Sequence, residues 1–517
     1  MNNFSKILYH AQLEEDVKKV VSIGTYKKLG LPLKTYPRVY QGLPRCTKPG
    51  FPNNSFIKQE FSNQKTLRKR FIDSALLSLY RNAHLNKKHH IVILTHVIPD
   101  GLGDLYAQKT TYTLLKSLFP NFKFSLVTFI HKQTKFSHDQ IKDPWYVYRY
   151  VHKKDLGPEK LDNQLFTHLR NASVVLQIPT YFLFFNELIK RVYEEKSKSP
   201  FPIFESVGEY GFINSKDFHP ETDTRCLGLH FLEKGLFLDP NLDKKVRDQP
   251  LPKDLDFLIF SNTGQRAYRD KTRLFVAYLH TKEGYLLYLM LVLTHYSSDP
   301  KNMDILTIDI GKFLTALDTL KKNPKIFKTF GISRIELYFE KNMCPIKTCE
   351  KGKTLRIIHT GFLKHEHFTK LLYLSENPVG IRGNLSLTEA ISLKKIYFYD
   401  MLEHNETLFN GLLSLAEKTT PKAYKYLKLC SRKNTSIEEI SKSLKEAFSD
   451  FNKLNEHLLQ NYNATYHLEN LTYRALKHYE DKDLKTFEKT LLEDFSEKKE
   501  TFVNLITKVQ SKIKKSS

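Results

Sequence analysis

Ile91 to Lys132 reads IVILTHVIPDGLGDLYAQKTTYTLLKSLFPNFKFSLVTFIHK. A short apolar run, Ile91–Leu94, predicts a buried strand. Asp100-Gly101-Leu102-Gly103-Asp104 follows as a loop, a helical pattern runs to Phe119-Pro120-Asn121, and Phe124–Ile130 predicts a second strand. Together these form one β-α-β unit, which implies a parallel sheet. Gly101 and Gly103 suit a sharp strand-to-helix turn and let another molecule approach the helix N-terminus closely. Without a third glycine, and with no acidic residue after the second strand, the loop falls short of a dinucleotide fingerprint. Asp104 is open to two readings at this point, a carboxylate that opens the helix or a reactive group.

At 517 residues the chain is too long for one ordinary core, so two or three domains are expected. A hydrophobic share of 41% is enough to fill them, which excludes a disordered protein. The net charge of +25 admits nucleic acid, an anionic membrane or a phosphorylated substrate as partner. The excess is spread along the chain, however, and a lysine-rich composition explains it equally simply. Five cysteines, with only Cys344 and Cys349 close together, predict structural thiols in a reducing compartment rather than a metal site. Neither a signal peptide nor an apolar stretch of membrane-spanning length is present, so a cytoplasmic protein is expected. The long lysine-rich C-terminus would also suit delivery into a host cell without a cleaved signal peptide.

Residues 1–90 read as an N-terminal extension, with a proline-rich arm from Leu31 to Pro52 and a helix over Thr66–Ala83. Residues 91–239 alternate strand and helix and include a strand at Ala172–Ile178 and a polar aromatic helix around Trp145–Tyr150. The charged, proline-containing segment 240–254 is the expected linker. Residues 255–419 repeat the α/β grammar, with strands expected at Asp256–Phe260, Tyr285–Leu293, Arg334–Phe339 and Thr354–Ile358. From 420 to 517 the pattern is helical and rich in Lys and Glu.

His359–Asn405, HTGFLKHEHFTKLLYLSENPVGIRGNLSLTEAISLKKIYFYDMLEHN, is the second informative stretch. It predicts a loop at Gly361, a helix over Lys364–Leu372, a strand near Pro378–Ile381, a Gly383-Asn384-Leu385-Ser386 loop, a helix over Leu387–Leu393 and a strand at Ile396–Tyr399. Ser386 or Thr388 can cap that helix, with Glu389 favoured in its first turn by the helix dipole. Equally, the helix amides and Arg382 can hold phosphate while Glu389 accepts from sugar hydroxyls.

The run Pro378-Val379-Gly380-Ile381-Arg382-Gly383-Asn384-Leu385-Ser386-Leu387-Thr388-Glu389-Ala390 resembles the donor-binding half of GT-B glycosyltransferases. The Gly-x-Gly-Asp loop at 101–104 and the Phe119-Pro120 turn resemble the acceptor-side half of the heptosyltransferase-like members. The chain departs from the pattern at Asn384, where related sequences often carry an acidic residue, and at Lys394-Lys395-Ile396. This resemblance implies two Rossmann-like domains facing a cleft, and metal-independent transfer of a sugar from a nucleotide-sugar donor to an unknown acceptor on a glycan, a lipid or a protein. It makes Asp104 the catalytic base, with Asp100 as fallback. The donor would be held by Ser261, Thr263, Gly264, Gln265, Arg266, Gly361, Arg382, Gly383, Asn384, Ser386, Thr388 and Glu389. Two other readings stand beside it: a basic nucleic-acid- or ribonucleoprotein-binding protein, and a GT-B-like interaction protein without catalysis.

Overall fold

A computed structural model describes residues 88–97, 103–134, 141, 143–151, 163–179, 188–189, 191–192, 194, 201–208, 227–229, 235–261, 264–321, 325–339, 342–347, 351–361, 363–402, 405–432 and 435–480. The proline-rich arm, the Thr66–Ala83 helix, Asp100, Gly101 and Thr263 lie outside these residues. The chain divides into two units, Met1–Phe237 with Asn463–Ser517, and Leu238–Tyr462.

The first unit contains β1 (His90–Val97), α1 (Gly103–Leu118), β2 (Lys123–His131), β3 (Trp145–Tyr150), α2 (Asn163–Arg170), β4 (Val174–Gln177) and β5 (Ile203–Ser206). Its strands form a five-stranded sheet in the order β3-β2-β1-β4-β5, and every pairing is parallel. Every residue of β1 is buried because both faces of the sheet are covered. Ile91 and Ile93 turn to one side with Phe124 and Leu115, while Val92 and Leu94 turn to the other with Val127, Phe166 and Leu169 of α2. The region around Trp145–Tyr150, expected to be helical, is instead β3, in register with β2 from Leu126↔Trp145 to His131↔Tyr150. Its Trp-Tyr-Val-Tyr-Arg-Tyr composition favours a pleated surface over a helix.

The second unit opens with α3 (Leu242–Arg247), α4 (Lys253–Phe260) and α5 (Gly264–Lys271). Asp256–Phe260 is therefore helix and not strand: Pro252 sits just before the first turn, and Asp254 and Asp256 lie within it, where the N-terminal dipole favours them. The chain continues through β6 (Thr272–Ala277), α6 (Lys282–His295), β7 (Asn302–Thr307), α7 (Ile310–Lys321), α8 (Lys325–Thr329), β8 (Ile332–Phe339), β9 (Asn342–Lys347) and β10 (Lys353–His359). Tyr285–Leu293, also expected as a strand, forms the body of α6. Thr281 caps that helix by accepting from Gly284 N. An apolar run this long becomes a helix when it is buried nearly all round, as Tyr285, Tyr288, Leu289, Leu291, Val292 and Leu293 are.

Beyond these come α9 (His365–Leu374), β11 (Val379–Ile381), α10 (Asn384–Ser392), β12 (Tyr397–Tyr399), α11 (Glu406–Thr419), α12 (Pro421–Ser431) and α13 (Ile437–Asn461). The second sheet is seven-stranded in the order β12-β11-β6-β7-β10-β8-β9, parallel throughout except for the β8/β9 hairpin. The C-terminal helices do not form one body: α11 to α13 belong to the second unit, whereas α14 (Thr465–Glu480) packs Leu468, Leu471, Ala475 and Leu476 into the core of the first.

Two kinds of buried polar contact set the second unit's frame. Asp304 on β7, 2% exposed, pairs with Arg356 on β10 (Nε to Oδ1 3.0 Å) and accepts from Tyr268 of α5. Arg356 also donates to Ile259 O at 2.6 Å, so one guanidinium ties α4 to the sheet. In addition, three lysines end helices. Lys353 Nζ donates to the carbonyls of Tyr296, Ser297 and Asp299 after α6, Lys370 to those of Val246 and Arg247 in α3, and Lys395 to those of Tyr373 and Ser375 at the end of α9.

Arg356→Met leaves the Asp304 carboxylate buried without its cation and should cost about 3–5 kcal/mol in denaturant unfolding. Burial lowers the Lys395 amine to about 8, against 10.5 in the unfolded chain. Between those values the unfolded state binds the extra proton, so this group's contribution to stability rises with pH. The stability of the native chain relative to Lys395→Met should accordingly increase from pH 7.5 to pH 9.5 in chemical denaturation, and a flat difference would contradict the shift.

Candidate functional site

In the second unit the chain runs from β6 outward to β7, β8 and β9, returns to β10, and then places β11 on the far side of β6. The turns leaving β6 and β11 therefore diverge at the carboxyl edge of the sheet, the position where open α/β sheets hold ligands. Tyr278, His280 and Thr281 come from the first turn, and Arg382 and Gly383 from the second. Arg382 stacks on the Tyr278 ring, 4.6 Å from its centroid, and donates to His280 Nδ1 at 2.8 Å. Burial, then the nearby Lys312 and Arg382 cations, hold the His280 ring below its ordinary pKa, so Nδ1 stays an acceptor.

His280 is fixed in turn by Asp400, which follows β12. The buried Asp400 carboxylate accepts from His280 N at 2.6 Å, Thr281 N at 2.7 Å and Thr281 Oγ1 at 2.9 Å. It fills the N-terminus of α6 so closely that a Cβ on Gly284 would lie 2.7 Å from it. An internal anion thus already occupies the place an external one would take on α6.

At α10 the arrangement is the opposite. Its N-cap is Gly383, at φ 75°, with no side-chain cap and open space where a Cβ would be. Ser386 and Thr388, expected as caps, lie inside the helix and turn their hydroxyls back to the carbonyls of Arg382 and Leu385. Among the described residues, no side chain accepts from the first amides of α10, which face the edge. Asn384 Oδ1 accepts from the buried Asn405 Nδ2 at 2.8 Å. Gly361, at φ 64° after β10, is likewise open.

Glu389 is not in the first turn, where the dipole reading put it. It lies in the second turn of α10, buried, with Oε1 accepting from His365 Nε2 and from Thr369 Oγ1 (3.1 Å) of α9. Oε2 is enclosed and has no hydrogen-bond partner among the described residues. The remaining expected donor residues are elsewhere: Ser261, Gly264, Gln265 and Arg266 sit at the α4–α5 junction, upstream of β6, and do not follow a strand.

In the first unit Gly103 and Asp104 open α1, with Gly103 exposed and Asp104 half-buried. Gln108, one turn later on the same face, is buried and donates to Ile93 O at 2.8 Å and Val127 O at 2.9 Å. Its Oε1 accepts from Thr128, whose hydroxyl accepts from Trp145 Nε1. This relay pins the register of α1, which Asp104 opens, to the middle of β1 and β2 at Ile93 and Val127.

Sequence reasoning missed His280, Asp400, His365 and Asn405. A signal for the first two existed, because both follow short apolar runs, yet β6 itself was not recognised as a strand. Gly284→Ala should push Asp400 off the amides of His280 and Thr281, destabilising the second unit by about 1–3 kcal/mol. It should also broaden the His280 imidazole resonances in NMR; an unchanged melting point and spectrum would contradict the contact.

No family model matches the chain, and no curated protein sequence matches it. Among solved structures, the trehalose-6-phosphate structure from E. coli bound with UDP-2-fluoro glucose is similar at 10% identity and a TM-score of 0.39, over 75% of this chain and 99% of that one. The alpha,alpha-trehalose 6-phosphate synthase of Burkholderia multivorans gives 9% identity and a TM-score of 0.39, over 76% and 98%. An alpha-glucosyltransferase in complex with UDP and a 13-mer DNA gives 11% and 0.35, over 74% and 97%.

Proposed function

We propose that the chain is a glycosyltransferase whose second unit binds a nucleotide sugar and whose first unit activates the acceptor. The observation that carries this reading is the N-terminus of α10, capped by no side chain among the described residues, at the switch point of a parallel sheet, with Arg382 held beside it. Aligned amides and a guanidinium suit a diphosphate in two ways: they bind it in the donor, and they stabilise the charge it gains as leaving group. Asp400 favours this placement by closing α6 to anions, so that phosphate is directed to α10. Gly383 and Gly361 give the ligand close approach to the backbone.

On the first unit, Asp104 serves as the base that takes the proton from the acceptor nucleophile, with Asp100 the other candidate. The Gln108 relay supports that role, since a base must be held in fixed register to work. The amides and the guanidinium supply the charge stabilisation that the leaving diphosphate requires, and the reading calls for no metal. The acceptor is a hydroxyl or nitrogen of a glycan, a lipid or a protein.

Thermal stabilisation measured with UDP-, GDP-, ADP- and dTDP-linked sugars should show a shift with one of them; no shift with any, nor with the corresponding nucleoside diphosphates, would sink the proposal. With the donor so found, Asp104→Ala should lower transfer by about 100-fold or more while leaving donor affinity unchanged.

A further inference from the structure

Among the described residues, the one acceptor of the Arg382 guanidinium is His280 Nδ1, at 2.8 Å. Arginine has donors and no acceptor, so this bond exists only while Nδ1 carries no proton, and the ring is then neutral. The charges around the ring agree with that state. Burial, then Lys312 and Arg382, oppose a proton on it and outweigh Asp400 and Asp309, which favour one. Neither carboxylate answers Arg382: Asp309 pairs with Lys312 at 3.4 Å, and Asp400 accepts from His280 and Thr281.

A neutral nitrogen is a weaker partner for a guanidinium than an anionic oxygen. A diphosphate at the N-terminus of α10 therefore competes for the donor that His280 holds. The guanidinium lies 4.6 Å from the centroid of the Tyr278 ring, and it can turn in its own plane without leaving that stack. The His280 backbone is kept in place, because Asp400 accepts from its N–H at 2.6 Å. Exchange leaves Nδ1 without its donor and beside a new negative charge, and both changes favour the protonated ring.

We propose that diphosphate binding at this edge is proton-linked: Arg382 passes from His280 to the ligand, and the vacated Nδ1 takes a proton from solvent. The free edge then carries one cation at this point and the occupied edge two, Arg382 and the His280 imidazolium. The proposal rests on the donor reading above. Because a proton is taken up on binding, affinity rises as pH falls, through the window between the lowered pKa of the free ring and its higher value in the occupied protein.

The test is calorimetry on the full-length protein with UDP-glucose, GDP-mannose, ADP-glucose and dTDP-glucose, whose diphosphate diesters keep both charges near neutral pH. The heat of binding should vary with the ionisation enthalpy of the buffer, and affinity should rise a few-fold from about pH 8 to about pH 6, with tenfold per pH unit the ceiling for one proton. His280→Asn keeps an acceptor for Arg382 and cannot take the proton, so it should bind with buffer-independent heat and a flat pH profile. At saturating ligand, nitrogen NMR of the ring should show Nδ1 change from unprotonated to protonated, the His280 signal being assigned by its loss in His280→Asn, or in His280→Gln should the first variant not fold. Proton uptake that persists in the variant, or an Nδ1 that stays unprotonated in the occupied protein, would overturn the proposal. Failure of all four nucleotide sugars to bind the unmodified protein would instead remove the donor reading, and this proposal with it.

Discussion

The carboxylate of Asp400 ties the last strand of the second sheet to the turn that leaves its first, and the rest of the edge depends on that contact. Because β11 and β12 reach the sheet last, nothing in local sequence fixes them against β6. The backbone pairing of β11 with β6 is joined by three hydrogen bonds to a buried carboxylate, and charge-assisted bonds to backbone amides are among the stronger of their kind. They set the His280 backbone, the ring of His280 then accepts from Arg382, and the guanidinium lies flat on Tyr278. Each link restricts the next, so Arg382 is presented in one orientation at little further loss of side-chain entropy on binding.

The same contact explains why two helix N-termini on one edge differ. Both α6 and α10 start at the carboxyl ends of parallel strands and carry the same partial positive charge. On α6 that charge is answered from within, and the close approach of Asp400 requires glycine at 284. On α10 the hydroxyls that would have answered it bond backwards into the helix. The two N-termini therefore differ without any difference in backbone chemistry, because a buried carboxylate fills one of them.

The α/β character, the opening β-α-β unit and the strand–helix order from β10 to β12 were legible in the sequence, since alternation and glycine turns are local signals. Tyr285–Leu293 and Asp256–Phe260 were misread because a helix buried on all sides has no amphipathic stripe, and a short apolar run fits either period. With those segments taken as strands, β6 disappeared, and with it the meaning of His280 and Thr281. The excess of lysine was equally opaque. Lys353, Lys370 and Lys395 each end a helix by donating to its last carbonyls, so part of a basic composition that admits nucleic acid is internal. For Glu389 the sequence offered a first-turn helix carboxylate or a contact to sugar hydroxyls, and no local signal showed that its carboxylate faces α9.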